Sequence, residues 1–331
     1  MSATTLDRPG VPIPPAPAPA EADKAERERL RSDAERWLAA LPIRTVLRRP
    51  PRGTGERGHP RLAMYRTAAG SPEFWEKTWL VSPPYRMRGY TLPTWYRDAF
   101  TRWLPSDGLI IEAGCGNGNL LRMLANHDPA RWGNFAREPH KGACVEGLDF
   151  APNAIAENRR IHPEGCYRVG DVRDLPYQTG GLSGYISMGV VEHFGEPERA
   201  VILREAARTL RPGGVAIITV PSLSPARRLR ASLGGFADES TIDQSKLDFY
   251  QFYFTRREIA GQIEAAGLRA VAFDGYDCRR GFADAFGERA GRALDRLARG
   301  STWMARRIDH PPRPVRRFCP HMLMVVAIKP W

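Results

Sequence analysis

The fold is decided by residues 109–125, which read Leu-Ile-Ile-Glu-Ala-Gly-Cys-Gly-Asn-Gly-Asn-Leu-Leu-Arg-Met-Leu-Ala. The apolar run from Leu109 to Ile111 is typical of a buried strand, and the leucines from Leu120 onward fall at helical spacing. Three glycines between the two elements remove side chains where a ligand must approach the backbone. The following helix N-terminus offers free N–H groups and a positive dipole end. The segment therefore predicts a strand–loop–helix unit that binds a nucleotide-like cofactor with an anionic or carboxylate group.

The spacing of these glycines excludes two common nucleotide-binding loops. A dinucleotide loop needs G-x-G-x-x-G, and after Gly114 and Gly116 that pattern requires glycine at position 119, where the chain has Asn119. A phosphate loop of the Walker type needs Gly-Lys-Ser/Thr, which is absent here. The chain has instead an acidic residue followed by x-Gly-x-Gly-x-Gly, from Glu112 to Gly118.

Beyond this loop, short apolar runs alternate with helical patterns, which is typical of βαβ units on a parallel sheet. Pro197 and the capping-box sequence that begins at Thr255 mark two helix starts. We expect helices from 120, over 152–161, from 196 and from 256, and strands at 109–111, 144–148, 167–169, 185–190, 215–220, 268–273 and 322–328.

Four further segments follow the loop in order: Glu146 to Phe150, Gly170-Asp171-Val172, Ser187 to Phe194, and Leu210 to Gly214. Together with the loop they resemble the motifs of class I S-adenosylmethionine-dependent methyltransferases. The segment that ends at Phe194 resembles the subfamily of ubiquinone and menaquinone biosynthesis enzymes (methyltransferase type 11). The resemblance implies an α/β fold: a Rossmann-like, doubly wound seven-stranded sheet with an antiparallel last strand, an N-terminal aromatic-rich cap and helical insertions.

The resemblance also implies S-adenosyl-L-methionine as the cofactor and assigns residues to it. In that family the glycine loop wraps the methionine part, and the acid before it holds the amino end. The acid after the second strand binds the ribose hydroxyls, and the Gly-Asp-Val segment contacts the adenine. The implied cofactor-binding residues are Glu112, Gly114, Cys115, Gly116, Gly118, Asp149, Phe150, Asp171, Val172 and Gly189.

His193 is the candidate catalytic residue. It follows the predicted fourth strand, where substrate and cofactor meet in this fold, and a histidine of near-neutral pKa can remove a proton from a hydroxyl. Glu192 is the alternative base. A structural histidine that bonds to loop backbone is the competing interpretation.

The acceptor of the methyl group is less constrained by the sequence. We expect transfer to oxygen or nitrogen of a small molecule. The net charge of +12 keeps an RNA-directed methyltransferase as an alternative, although no RNA-binding module is recognisable. A non-catalytic, methyltransferase-like scaffold subunit is the other alternative. The five scattered cysteines show no CxxC spacing, so we expect neither disulfides nor a metal site, and a cytoplasmic location.

Composition divides the chain into three regions. Residues 1–20 are rich in Pro and Ala and predict a disordered tail. Residues 21–104 predict a helical cap, and residues 105–331 the methyltransferase domain. No run of 18 apolar residues predicts a membrane span. Three segments interrupt the domain as insertions, and the last two are candidates for lids or for the contacts of a homodimer: 126–142, 222–250 and 275–318.

Overall fold

The computed structural model of the chain describes residues 24–40, 43–48, 61–66, 72–81, 94–127, 143–243, 245–300, 308 and 311–331. The predicted tail 1–20 and nearly all of the segment 126–142 lie outside these residues.

The strands within the described ranges are β1 Ile43–Arg48, β2 Arg61–Arg66, β3 Gly108–Ala113, β4 Ala143–Asp149, β5 Cys166–Val169, β6 Leu182–Met188, β7 Leu210–Pro221, β8 Ala237–Asp238, β9 Asp248–Phe252, β10 Arg269–Tyr276 and β11 Met322–Ile328. The helices are α1 Lys24–Ala40, α2 Pro72–Val81, α3 Thr94–Trp103, α4 Asn119–His127, α5 Pro152–Ile161, α6 Glu196–Thr209, α7 Pro225–Ser232, α8 Arg256–Ala265, α9 Cys278–Phe286, α10 Glu288–Gly300 and α11 Arg313–Phe318. In the part of the chain so described, no helix is both long enough and apolar enough to cross a membrane.

The main sheet has seven strands in the order β10-β11-β7-β6-β3-β4-β5. The neighbours from β7 through β5 pair in parallel, and β11 is antiparallel to both β7 and β10. This arrangement confirms the predicted doubly wound sheet with an antiparallel last strand. Such a sheet is covered on both faces, which explains why its strands are continuous apolar runs.

Alternate residues of each strand supply two separate cores. Ile110 of β3 and Ile186 of β6 belong to the core on one face, together with Phe100 of α3. Ile111 and Tyr185, their neighbours in sequence, belong to the core on the other face. Because successive side chains of a strand point to opposite faces, one apolar run covers both cores.

The N-terminal region, which the sequence predicts as a helical cap, contains strands as well as helices. Residues 43–48 and 61–66 are strands, and they form a second sheet with β8 and β9 in the order β8-β1-β2-β9. The strands β8 and β9 lie in the segment 222–250 and the two residues that follow it, so this part of the chain completes the sheet that the N-terminal region begins. A two-stranded hairpin is marginally stable alone, and its partners lie far along the chain, where local sequence patterns do not reveal them. The boundary at residue 104 stays a prediction.

Two strand boundaries also differ from the predicted ones. β6 ends at Met188, because Gly189 adopts a φ of 73° and turns the chain. β7 begins at Leu210, so the Pro-Gly-Gly segment predicted as a turn lies within the strand, at a shift in its register with β6. The segment 275–318 contains α9, α10 and α11, as expected for a helical insertion.

A buried arginine joins α7 to α9 and to the start of β11. Arg227 is 1% exposed, and its guanidinium donates to the carbonyl oxygens of Ser222 at 2.5 Å and His321 at 3.1 Å. It also forms an ion pair with Asp284 and lies over the ring of Tyr253, 4.9 Å from the centroid. These contacts hold the insertion 222–250 against the helices of 275–318.

We expect Arg227→Met to lower the free energy of unfolding by about 3–5 kcal/mol, because it leaves two carbonyl groups without this donor and leaves the Asp284 carboxylate with His321 but without its arginine partner. Arg228→Met is the matched control, since that neighbouring side chain is exposed, and it should change the free energy by less than about 0.5 kcal/mol. Urea denaturation followed by circular dichroism measures both, and equal effects of the two substitutions would contradict the role given to Arg227.

Candidate cofactor and acceptor site

The glycine loop connects β3 to α4 at the carboxyl end of the central strand. Gly114, Gly116 and Gly118 have φ values of 78°, 50° and 65°, in the left-handed region that favours glycine. A Cβ atom at Gly116 would lie 2.6 Å from the ring of Trp79, and one at Gly114 would lie 2.4 Å from a methyl group of Val190. The loop is therefore closely packed against its neighbours, and a side chain at either position would displace them.

Polar side chains hold the loop in place from the adjacent strand and helix. Asp149, at the end of β4, accepts a hydrogen bond from the amide of Gly116 at 2.8 Å and one from the amide of Ala151 at 3.0 Å. Asn158 of α5 donates to the carbonyl oxygen of Gly116 at 2.7 Å. Because a carboxylate offers about four lone-pair sites, Asp149 keeps acceptor capacity beyond these two bonds.

Glu112, the last acid before the loop, is buried without a hydrogen-bond partner for one of its oxygens. The side chain is 4% exposed, and its Oε2 contacts no donor among the described residues. Burial, together with the charge of Asp149, raises the pKa of Glu112 well above its ordinary value. An unsatisfied buried carboxyl oxygen is costly, so this position fits a ligand that brings a donor, such as an amino group.

The other residues predicted to contact the ribose and the adenine are placed less uniformly. Val172 is buried, whereas Phe150 is 42% exposed directly after the end of β4. The carboxylate of Asp171 is paired with the guanidinium of Arg173, at 2.7 Å between Oδ2 and Nη2, and this partner lowers the pKa of Asp171. An adenine amine would have to share that carboxylate with Arg173, so the role of Asp171 stays a prediction.

The chain after β6 turns at Gly189 and forms a short 3-10 helix, Val191–His193. Glu192 within it is 2% exposed, and its Oε2 has no hydrogen-bond partner in the described ranges. Burial raises the pKa of Glu192 to about 8. Burial raises the pKa of Tyr276 well above its ordinary value, and a smaller contribution comes from the charge of Glu192; the hydroxyl of Tyr276 lies 3.0 Å from that of Tyr96.

His193 lies between aromatic rings and is held by backbone. Its Nδ1 is 2.7 Å from the carbonyl oxygen of Tyr250, and Nδ1 carries the proton because a carbonyl oxygen can only accept. Its ring centroid is 4.8 Å from that of Trp75 and 4.7 Å from that of Tyr250. Burial lowers the pKa of His193 to about 4, so the imidazole is neutral at pH 7. These contacts also satisfy a structural role, and catalysis by His193 stays a prediction.

Helix α2 supplies three site residues that the sequence did not single out. The ring of Trp79 lies over Gly116, and it stacks on Trp75, with 5.8 Å between centroids. Between them, Glu76 contributes to the raised pKa of Asp149 and has a buried oxygen, Oε2, without a partner in the described part of the chain. The i, i+4 spacing of the tryptophans placed them on one helix face, but no local pattern showed that this face covers the loop.

Comparison with known proteins identifies the central part of the chain. Residues 110–214 match a protein-family model described as a methyltransferase domain, which is roughly a third of the chain. The matched region extends from β3 to the first residues of β7, and it contains the glycine loop, Asp149, Asp171 and the turn after β6.

Curated relatives match part of the chain. A tRNA (carboxymethyluridine(34)-5-O)-methyltransferase of Mus musculus is 32% identical over 124 residues, which is 37% of this chain and 16% of the relative. A ubiquinone biosynthesis O-methyltransferase of Xanthomonas axonopodis pv. citri is 26% identical over 171 residues, which is 50% of this chain and 64% of the relative. The chain thus spans less than two thirds of the length of either protein.

Among solved structures, an S-adenosylmethionine-dependent methyltransferase of Mesorhizobium loti aligns with a TM-score of 0.44 and 16% identity, covering 74% of this chain and all of the other. The domain match, the curated relatives and the seven-stranded sheet with its glycine loop agree with one another. Residues 110–214 therefore form a methyltransferase domain that is similar to those of S-adenosylmethionine-dependent methyltransferases, and S-adenosyl-L-methionine is its cofactor.

Proposed function

We propose that the protein transfers the methyl group of S-adenosyl-L-methionine to an oxygen or nitrogen atom of a small organic acceptor. The observation that carries this proposal is the glycine loop beside Glu112. The glycines let the loop backbone adopt left-handed conformations in close contact with Trp79 and Val190, and the buried Glu112 oxygen has no partner among the described residues, one that the amino group of the cofactor would supply.

Each part of the cofactor has a proposed set of contacts. Glu112 holds the amino group, and the backbone of Gly114, Cys115, Gly116 and Gly118 surrounds the methionine part. The remaining contacts come from the ends of β4, β5 and β6: Asp149 and Phe150 at the ribose, Asp171 and Val172 at the adenine, and Gly189 on the side of the reacting methyl group.

The bound cofactor supplies an activated methyl group, and the protein's own residues align the acceptor and exclude water. The rings of Trp75 and Tyr250 pack against His193, and Trp79, which stacks on Trp75, extends this apolar wall to the loop. An apolar, aromatic lining with few polar groups is typical of sites for small organic ligands. This wall supports a small molecule as the acceptor.

An oxygen acceptor must lose a proton as it is methylated, and two residues are candidates to receive it. A general base works best when its pKa lies near the operating pH. Burial gives Glu192 a pKa of about 8 and His193 a pKa of about 4. These values favour Glu192, the alternative base, and give His193 the role of shaping the pocket through its bond to Tyr250.

RNA is the second candidate acceptor. The mouse relative is named as a tRNA methyltransferase, and the net charge of +12 favours polyanions.

Release of S-adenosylhomocysteine tests the proposed reaction directly. The protein is incubated with the cofactor and with either pooled small metabolites or total tRNA, and the methylated product is identified by mass. We expect turnover with the metabolite pool. Turnover with tRNA alone would support the second candidate, and absence of turnover with both, while the cofactor still binds, would support a scaffold.

We expect Gly116→Ala to weaken cofactor binding at least tenfold, because a residue with a Cβ at this φ costs about 1–2 kcal/mol and the new atom displaces Trp79. Gly261→Ala in α8 is the matched control, since nothing lies within 4 Å of its Cβ position and its φ is not positive. Isothermal titration with S-adenosyl-L-methionine measures both, and wild-type affinity of folded Gly116→Ala would contradict the placement of the cofactor.

The stability of the protein should depend on pH through Glu192. Its folded-state pKa of about 8 lies above the ordinary value of 4.5, so folding favours the protonated form. The resulting stabilisation is complete below pH 4.5 and is lost as the pH rises to about 8. We therefore expect Glu192→Gln to gain thermal stability relative to the wild type across this range. A difference in Tm that stays constant with pH would show that Glu192 is ionised in the folded protein.

A further inference from the structure

A cleft of about 900 Å³ lies at the β10 edge of the main sheet, away from the glycine loop. It is formed by residues of α3, α7, α11, the N-terminus of α8 and the strands β10 and β11. Seven arginines line the cleft, of which six are exposed and one, Arg316, is half-buried. Two aspartates line it as well, so the positive charges exceed the negative ones by five. The exposed six are Arg102, Arg228, Arg256, Arg257, Arg313 and Arg317.

These arginines converge on one concave surface without acidic partners among the described residues. Other arginines near the surface do form ion pairs, as Arg160 does with Glu157 and Arg211 with Asp107. Within the described ranges, none of the six exposed cleft arginines forms an ion pair. The two aspartates of the cleft are already engaged, one with Arg97 and the other with Arg316. A basic composition spread evenly over the surface does not explain this concentration of unpaired charge.

Several of these side chains are held in position by their surroundings. Arg316 is anchored to Asp274 at 2.5 Å. The guanidinium of Arg256 lies 3.9 Å from the ring centroid of Phe273, and that of Arg102 lies 5.1 Å from the centroid of Trp103. A stacked guanidinium keeps its N–H donors directed outward, and less rotational freedom is lost when an anion binds.

The spacing of the positive charges indicates what kind of anion fits. They surround a cleft as large as a typical small-molecule site and come from four separate helices, so a single carboxylate or phosphate would satisfy only a few of them. Arginine forks match phosphate oxygens in a bidentate manner. A concave surface also suits a strand or a compact ligand better than it suits a flat bilayer.

We propose that this cleft binds a series of phosphate groups, as an RNA strand or a polyphosphorylated small molecule presents them. The inference goes beyond the proposed methyl transfer and does not depend on it. Its place in the fold is separate, since the cleft is lined by β10, β11 and the residues that follow β7, whereas the glycine loop follows β3, two strands beyond β7 in the sheet. A ligand held there would extend from the end of β7 towards β6 and β3 to reach the methyl-transfer site.

Fluorescence anisotropy with a labelled twelve-nucleotide uridine RNA tests the proposal, measured between 50 and 200 mM KCl. The wild type should bind with an affinity that falls steeply with salt. The double variant R256Q/R317Q should bind more weakly and show a salt slope smaller by about 1.4, or about 0.7 for each lost phosphate contact on a single strand. The double variant R160Q/R204Q removes the same charge from exposed positions of α5 and α6 outside the cleft, and it should keep the wild-type slope.

Competition identifies the source of the phosphates. If tripolyphosphate at equal phosphate concentration displaces the labelled RNA, the site is supported and its ligand is a compact polyphosphate. If only unlabelled RNA displaces it, the ligand is an RNA strand. The proposal is overturned if the RNA does not bind at 50 mM KCl, if both double variants lose the same slope, or if polyglutamate of equal charge competes as well as RNA. Titration of R256Q/R317Q with S-adenosyl-L-methionine should give wild-type affinity, which separates failure of the cleft from failure of the cofactor site.

Discussion

The hydrogen bond from the amide of Gly116 to the carboxylate of Asp149 is the contact on which the site depends. It joins the loop after β3 to the end of β4, 33 residues further along the chain. The same carboxylate accepts from the start of α5, and Asn158 of that helix returns a bond to the Gly116 carbonyl. The loop is thus fixed by neighbouring strand and helix before any ligand binds, which reduces the ordering that binding requires.

The fixed position of the glycine loop places several acidic side chains in a small, poorly solvated region. Glu112 and Asp149 both have raised pKa values, chiefly because burial disfavours their charged forms, and Glu76 on α2 adds to the effect at Asp149. Such a cluster is unfavourable by itself and becomes favourable when a cationic, donor-rich ligand occupies it. The cleft at β10 has the opposite electrostatic character, with six exposed arginines that form no ion pair with any described residue. The sheet therefore separates a carboxylate-rich site on its central strands from a basic cleft at its edge.

The second sheet and helix α2 determine what surrounds the cofactor loop. β1 and β2 pair with β8 and β9, which follow the main sheet's fifth parallel strand, and Tyr250 of β9 reaches His193. Trp75 and Trp79 complete the enclosure from α2. The N-terminal region and the segment 222–250, which the sequence divides into a cap and an insertion, together cover one side of the site.

The sequence by itself determined the main sheet, because apolar runs of strand length and glycines at special positions are local signals. Glu112, the glycine loop, Asp149 and the strand β11 could be found in this way. Only the tertiary structure decided the contacts of Trp79 with Gly116 and of His193 with Tyr250, and the gathering of the arginines around one cleft. The arginines of the cleft come from helices between residues 94 and 318. Spacing along the chain carries no information on which distant side chains meet. For the same physical reason, the burial that gives Glu192 and His193 their opposite pKa shifts was set by packing and not by their positions in the motif.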